Sequence, residues 1–159
     1  MLRDGFIDMA FVSHSEELGA DIEYICLDDL EIVCSVGRDN STVKAGAMTP
    51  GELEGIPLVM YKDGFFQSRK IKKWFADGKV DPYVLVTTNQ LSTMIKLISS
   101  GTAVGFLFDK LVADEESIRS APLDPPMVLR ISLAWQKNKF LFSGMKRFKS
   151  FVEKSGPLK

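Results

Sequence analysis

Histidine is nearly missing from this sequence, since His14 is the only one. A multi-histidine metal site is therefore excluded, and any histidine-based catalytic triad would have to be built around that one residue. The two cysteines, Cys26 and Cys34, are too few for a disulfide scaffold and lack metal-ligand spacing. No sign of charge dominates: 20 Lys+Arg against 21 Asp+Glu leave a net charge of −1, without the basic excess of a dedicated nucleic-acid binder. Long apolar runs are absent as well. The longest, Ala103 to Phe108 with Gly105 inside it, falls far short of the roughly 18 residues of a membrane span. The opening Met1-Leu2-Arg3-Asp4-Gly5 is no secretory signal, and a reduced cytoplasm is the expected compartment. No Gly-rich phosphate loop, Gly-x-Ser-x-Gly elbow or metal constellation appears, so neither an enzyme nor a bound cofactor is expected.

What is present is enough for a folded core: 159 residues, 45% of them hydrophobic. Strand-like and helix-like segments alternate. Phe6 to Val12 and Glu31 to Val36 are strand candidates, and Gly37 to Gly51 reads as a loop. Leu58-Val59-Met60-Tyr61 is a short buried strand, broken by the turn residues Lys62-Asp63-Gly64. Ile71, Trp74 and Phe75 then fall at helical spacing, with Lys70, Lys72 and Lys73 off that stripe and Gly78 as a glycine C-cap. Tyr83 to Thr88 is rich in β-branched residues, and Thr88 or Asn89 can cap the helix that follows. That helix aligns Leu91, Met94, Ile95 and Ile98 and stops at Gly101, before a strand over Ala103 to Phe108 that is buried on both faces. Such alternation, with short connections, predicts parallel crossovers in an α/β sheet.

The last part of the chain reads differently. Leu129, Ile131, Leu133 and Trp135 alternate with Arg130, Ser132, Ala134 and Gln136 as a period-two strand, and Pro122, Pro125 and Pro126 hold its lead-in extended. Met145, Phe148, Phe151 and Val152 mark the apolar stripe of a closing helix. His14 reads as a surface-loop residue and Cys34 as a small hydrophobe.

Four places resemble the effector-binding domain of LysR-type transcriptional regulators. Leu2, Gly5, Asp8 and Ala10 are similar to that family's Leu-x-x-Gly-x-x-Asp-x-Ala approach to a central strand, and Leu53 and Pro57 to its lead-in before Leu58-Val59. Ile98 to Leu107 resembles its helix-to-strand turn. Ile131, Leu133, Trp135 and Lys137, followed by Ser143, Phe148 and Phe151, resemble its closing strand and helix. The match departs at Ala103, at Phe108 and at Gly37-Arg38-Asp39-Asn40, all on what would be the pocket rim. The resemblance implies an α/β fold like the type 2 periplasmic binding proteins, with two lobes around a cleft. Residues 31–132 would form the second lobe, residues 1–30 and 133–159 an incomplete first lobe, and Ile32, Val33, Ser132 and Leu133 would lie on the connecting strands. It further implies a homo-oligomer that meets DNA only through a winged helix-turn-helix absent from this chain, and no membrane.

In open α/β sheets, ligands sit beyond the carboxyl ends of the strands, where helix N-termini favour anions. Gln67 and Ser68 with their backbone amides, and Thr88, Asn89 and Gln90, are therefore expected to form the polar half of a pocket for a small anionic effector. Phe65 and Phe66 would be its aromatic wall, and Tyr61 would add a hydroxyl. The plainer readings stand beside these: Thr88 and Asn89 as helix caps, Phe65 and Phe66 as core or interface residues. A solute-binding protein of transport shares the fold and is the alternative function.

Overall fold

A computed structural model describes residues 1–41, 43 and 46–155. The chain divides into two compact units, one of residues 1–30 and 128–159, the other of residues 31–127.

The second unit is organised by three parallel strands: β3 (Leu58–Tyr61), β4 (Val84–Thr88) and β5 (Val104–Phe108). α1 (Phe66–Asp77) joins β3 to β4, and α2 (Leu91–Ser99) joins β4 to β5. β3 lies between β5 and β4, pairing parallel with both. β2 (Ile22–Gly37), through Ile32 to Ser35, runs antiparallel to β5. Successive strand residues face opposite sides of a sheet, so β3 and β5 need cover on both. α2 supplies it on the face of Val59 and Leu107, where Met94 and Ile98 join Val33 in one buried cluster. On the other face Trp74 and Phe75 of α1 pack edge-on against Phe106, with centroids 6.1 and 6.0 Å apart. Fully burying a side chain such as Ile98 or Phe75 contributes about 1.5–3 kcal/mol. A 3-10 turn (Pro50–Leu53), α3 (Asp109–Ala113) and the first part of β6 (Ile118–Gln136) complete this unit.

In the first unit β6 lies between β1 (Met9–His14) and β2. β1 runs antiparallel to β6, from Met9 opposite Trp135 to His14 opposite Arg130. α4 (Ser143–Ser155) packs through Val152 onto Leu27, Leu133 and Trp135.

Several expectations need correcting. The first strand is shifted: the β6 register selects Met9–His14, leaving Phe6 outside it and 81% exposed. β2 begins at Ile22, because the acidic stretch through Asp28 and Asp29 pairs as a strand although it lacks a strand-like composition. The segment that Pro122, Pro125 and Pro126 hold extended is itself part of β6, which begins at Ile118 and not at Leu129, since Met48 bonds the Pro122 carbonyl and the Asp124 N–H and needs no proline donor. Burial stops alternating at Ser132, and Ser132, Leu133, Ala134 and Trp135 are all buried.

Gly78 is not a left-handed cap. It has φ −78°, and Lys79, at φ 57°, takes the left-handed position of a motif closed by Lys79 N–H to Ala76 O and Val80 N–H to Phe75 O. Glycine is required at 78 for a different reason: a Cβ there would lie 2.6 Å from Cγ of Pro50. Gly101 does fill the left-handed position after α2, at φ 72°. The expected stripe on α4 is mostly uncovered: Phe148 and Phe151 are 41% and 68% exposed and only Val152 is buried. Within the loop 37–51, Thr42, Lys44 and Ala45 lie outside the described residues, as do residues 156–159.

Candidate functional site

The parallel strands β3 and β4 end side by side, with Tyr61 opposite Thr88. Each chain then turns through a short loop into a helix. The two loops are tied together by the Lys62 N–H, which donates to the Thr88 carbonyl at 3.0 Å. Both helices start without a side-chain cap: Phe65 precedes α1 and Gln90 precedes α2, and neither supplies a capping oxygen. First-turn N–H groups have no partner within their own helix, so two uncapped N-termini at adjacent strand ends present donors and partial positive charge.

Around them lie the aromatic residues singled out in the sequence. Phe65 stacks on Tyr61, with centroids 5.1 Å apart and planes 22° from parallel. Burial raises the Tyr61 phenol above its usual range, so it stays a neutral donor across neutral pH. Phe66 carries cations on its ring, with Arg69 5.7 Å and Lys70 5.5 Å from the centroid.

The polar residues divide. Asn89 and Gln90 are exposed at the loop, while Thr88 is buried and its hydroxyl oxygen accepts from the Gln90 N–H at 3.0 Å. Thr88 therefore shapes the loop, whereas Gln90 is the N-cap and accepts at Oε1 from the Thr93 hydroxyl. This replaces the expectation that Thr88 or Asn89 caps α2. Gln67 and Ser68 point inward. Gln67 donates its amide to the Phe106 carbonyl at 2.9 Å, and Ser68 is 2% exposed. Ser68 Oγ is the one buried side-chain polar atom without a partner among the described residues. It lines a cavity of about 10 Å³ with Met60, Tyr61, Gln67, Ile71, Met94 and Phe106. What these two residues offer the loop is their backbone N–H groups. The sequence carried the signal for this, since 67 and 68 lie at i−4 and i−3 from Ile71 on the buried stripe of α1.

Of the residues read as connecting strands, Ile32 and Val33 are buried on β2 in the second unit. Ser132 and Leu133 are buried on β6 in the first, past the division between Met127 and Val128. Sequence reasoning missed His14. It is buried at the end of β1, where Nδ1 lies 2.7 Å from the Glu16 carbonyl and Nε2 2.8 Å from Ser132 Oγ. Period-two continuation from Ala10 and Val12 would have placed it on the covered face. Cys34 is fully buried, and burial pushes its thiol up to about 12.

The family model described as the LysR substrate binding domain matches residues 1–156. A probable nitrogen assimilation transcriptional activator from Synechococcus elongatus is 25% identical over 134 residues, 82% of this chain and 41% of its own length. The chain thus spans less than half of that relative. The regulatory domain of CcmR from Synechocystis PCC6803, solved in complex with 2-PG, superposes with a TM-score of 0.81 at 17% identity, covering 97% of this chain and 76% of that one. The effector-binding domain of QuiR in complex with shikimate gives 0.76 at 20% identity, covering 98% and 74%. These likenesses establish the fold, that of the type 2 periplasmic binding proteins.

Proposed function

Since the chain belongs to the LysR substrate-binding domain family, we propose that it is an effector-sensing regulatory module whose effector is a small organic anion held at the ends of β3 and β4. One observation carries the placement: two uncapped helix N-termini stand at neighbouring strand ends beside the stacked Tyr61 and Phe65. The backbone N–H groups of Gln67 and Ser68 and the side chains of Asn89 and Gln90 bind the charged end. Phe65 and Phe66 flank its body, the Tyr61 hydroxyl donates a further hydrogen bond, and Thr88 keeps the second loop in shape. Support for the chemistry also comes from two relatives of the same fold, solved with shikimate and with 2-PG.

The module works by differential affinity. An effector that binds one arrangement of the lobes more tightly shifts the population toward it, and equal binding to both shifts nothing. Ile32, Val33, Ser132 and Leu133 are assigned to the strands that connect the lobes, with residues 31–132 as the second lobe and 1–30 with 133–159 as part of the first. DNA is contacted through a winged helix-turn-helix outside this chain, in the cytoplasm, and the chain acts as a homo-oligomer. Supporting the last point, Phe6, Phe11, Phe140, Phe142, Phe148 and Phe151 of the first unit are all 41% exposed or more.

A thermal-shift panel of aromatic and dicarboxylic acids tests the site. At least one acid raises the midpoint of the wild-type chain, by about 2.7 kcal/mol of stabilisation at a hundredfold excess over its dissociation constant. The same acid raises it less in a variant carrying Asn89→Ala and Gln90→Ala. An undiminished shift in that variant rejects the placement. Size-exclusion chromatography that finds only monomer rejects self-association.

A further inference from the structure

The hydroxyl of Ser68 is buried without a use inside the folded chain. Ser68 is 2% exposed, and its Oγ is the one buried side-chain polar atom without a partner among the described residues. Buried polar groups are paired as a rule, and an unpaired one calls for a functional role or a bound partner. Alanine at this position would avoid the unpaired hydroxyl and suit the helix better. Ser68 stands in the first turn of α1, whose first intrahelical bond runs from Arg69 N–H to Phe65 O at 3.3 Å. The N–H groups of Gln67 and Ser68 therefore have no partner within the helix. Cα–Cβ bonds in a helix lean toward its N-terminus, so the Ser68 side chain opens toward the same end as those N–H groups. Its cavity, about 10 Å³, is shared with Tyr61, whose ring stacks on Phe65 beside the helix N-termini. That volume takes a single oxygen-sized atom. The walls from Met60, Ile71 and Met94 are apolar, which leaves Ser68, Gln67 and Tyr61 as its polar partners.

With the effector placed at the ends of β3 and β4, a reading this one rests on, we propose that Ser68 is the specificity-determining residue of the site. The effector is then a 2-hydroxy acid whose hydroxyl enters the cavity. The backbone nitrogen and Oγ of one serine are separated by as many bonds as a carboxylate oxygen and a hydroxyl on the adjoining carbon. One residue therefore addresses both groups, its N–H donating to the carboxylate while Oγ meets the hydroxyl. Gln67 chooses between a hydroxyl and a keto oxygen at that carbon. Its amide nitrogen is spent on the Phe106 carbonyl at 2.9 Å, which leaves its oxygen, an acceptor only, for the occupant of the cavity it lines. A hydroxyl has a hydrogen to donate there and lone pairs for the Ser68 hydroxyl. A keto oxygen has no hydrogen and would meet the Gln67 oxygen lone pair to lone pair. An acid that carries nothing at that carbon leaves Ser68 as unpaired as before, so the hydroxyl is what the cavity selects.

Malate against succinate, and mandelate against phenylacetate, are pairs that differ only in the 2-hydroxyl. Dissociation constants come from thermal-shift titrations of the wild-type chain, of Ser68→Ala, and of the variant carrying Asn89→Ala and Gln90→Ala. In the wild type the hydroxy acid of at least one pair binds about tenfold more tightly than its parent. Ser68→Ala keeps every backbone N–H that holds the carboxylate, so it retains the parent's affinity and binds both members alike. The Asn89 and Gln90 variant weakens both members and keeps their ratio. Equal affinities within both pairs in the wild type, or a preference that survives Ser68→Ala, overturns the role of Ser68. If the Asn89 and Gln90 variant still weakens binding in that case, the placement of the effector stands. Failure of all these acids to bind also overturns the 2-hydroxy acid, and the placement falls with it only if the wider panel of acids yields no ligand either.

Discussion

Replacing Ser68 by alanine should make the protein more stable, although it deletes a polar side chain from the edge of the candidate site. Ser68 is 2% exposed, and its hydroxyl oxygen, in a cavity of about 10 Å³, lacks a partner among the described residues. Leaving a buried hydroxyl unpaired costs about 1–3 kcal/mol. Ser68→Ala removes that penalty and adds a few tenths of a kcal/mol from the better helix propensity of alanine. Against this stands the lost oxygen, which enlarges the void by on the order of 10–20 Å³, about 0.2–0.5 kcal/mol at ~24 cal/mol per Å³. The balance is a gain of about 1–3 kcal/mol. Urea denaturation should show a higher midpoint at unchanged slope, and the thermal midpoint should rise about 2–4 °C per kcal/mol for a chain of this size. A variant destabilised by about 1 kcal/mol or more would refute the reasoning, because it would mean that the hydroxyl has a partner.

Gly105→Ala should do the reverse. Its Cβ would stand 2.5 Å from Cδ1 of Ile98 and 3.1 Å from Cγ1 of Val59, in the centre of the second unit. Overpacking of this kind costs about 1–3 kcal/mol, read as a lower urea midpoint. Cys34, buried and with its thiol pushed up to about 12, should resist a thiol reagent at mildly alkaline pH while exposed Cys26 reacts. One thiol per chain is then titrated in the native state and both in denaturant. The folded state also holds the Cys34 proton more tightly than the unfolded chain does. Its contribution to stability is full below pH 9.0, the ordinary thiol value, and is lost as pH rises toward about 12. Cys34→Ala should flatten that alkaline fall, measured as denaturation midpoint against pH.

Parts of the second unit were legible because their signals are local. Ile71, Trp74 and Phe75 sit on the buried face of α1, Met94 and Ile98 on that of α2, and β5 is covered on both faces, as their spacing requires. Gly101 takes the left-handed position that only its missing side chain makes easy. The loops after β3 and β4 could be located from strand and helix ends alone. Which side chains face the site could not be read from type. Gln67 and Ser68 are polar, yet helical phase turns them under α1, where Gln67 is spent on a carbonyl of β5. The first unit was less readable. Its strands are held by partners more than a hundred residues away in the chain, such as Ser132 for His14 and Trp135 for Glu23.

Sequence alone determined the alternation of strand and helix, the apolar faces of α1 and α2, and the glycine stop at 101, because each depends on neighbours within a turn or two. Tertiary structure alone decided the length of β2 and β6, the close approach of Pro50 that reserves position 78 for glycine, and the burial of His14 and Ser68. These depend on which distant backbone supplies the hydrogen bonds and which side chain occupies the space, and no local pattern of residue types encodes either.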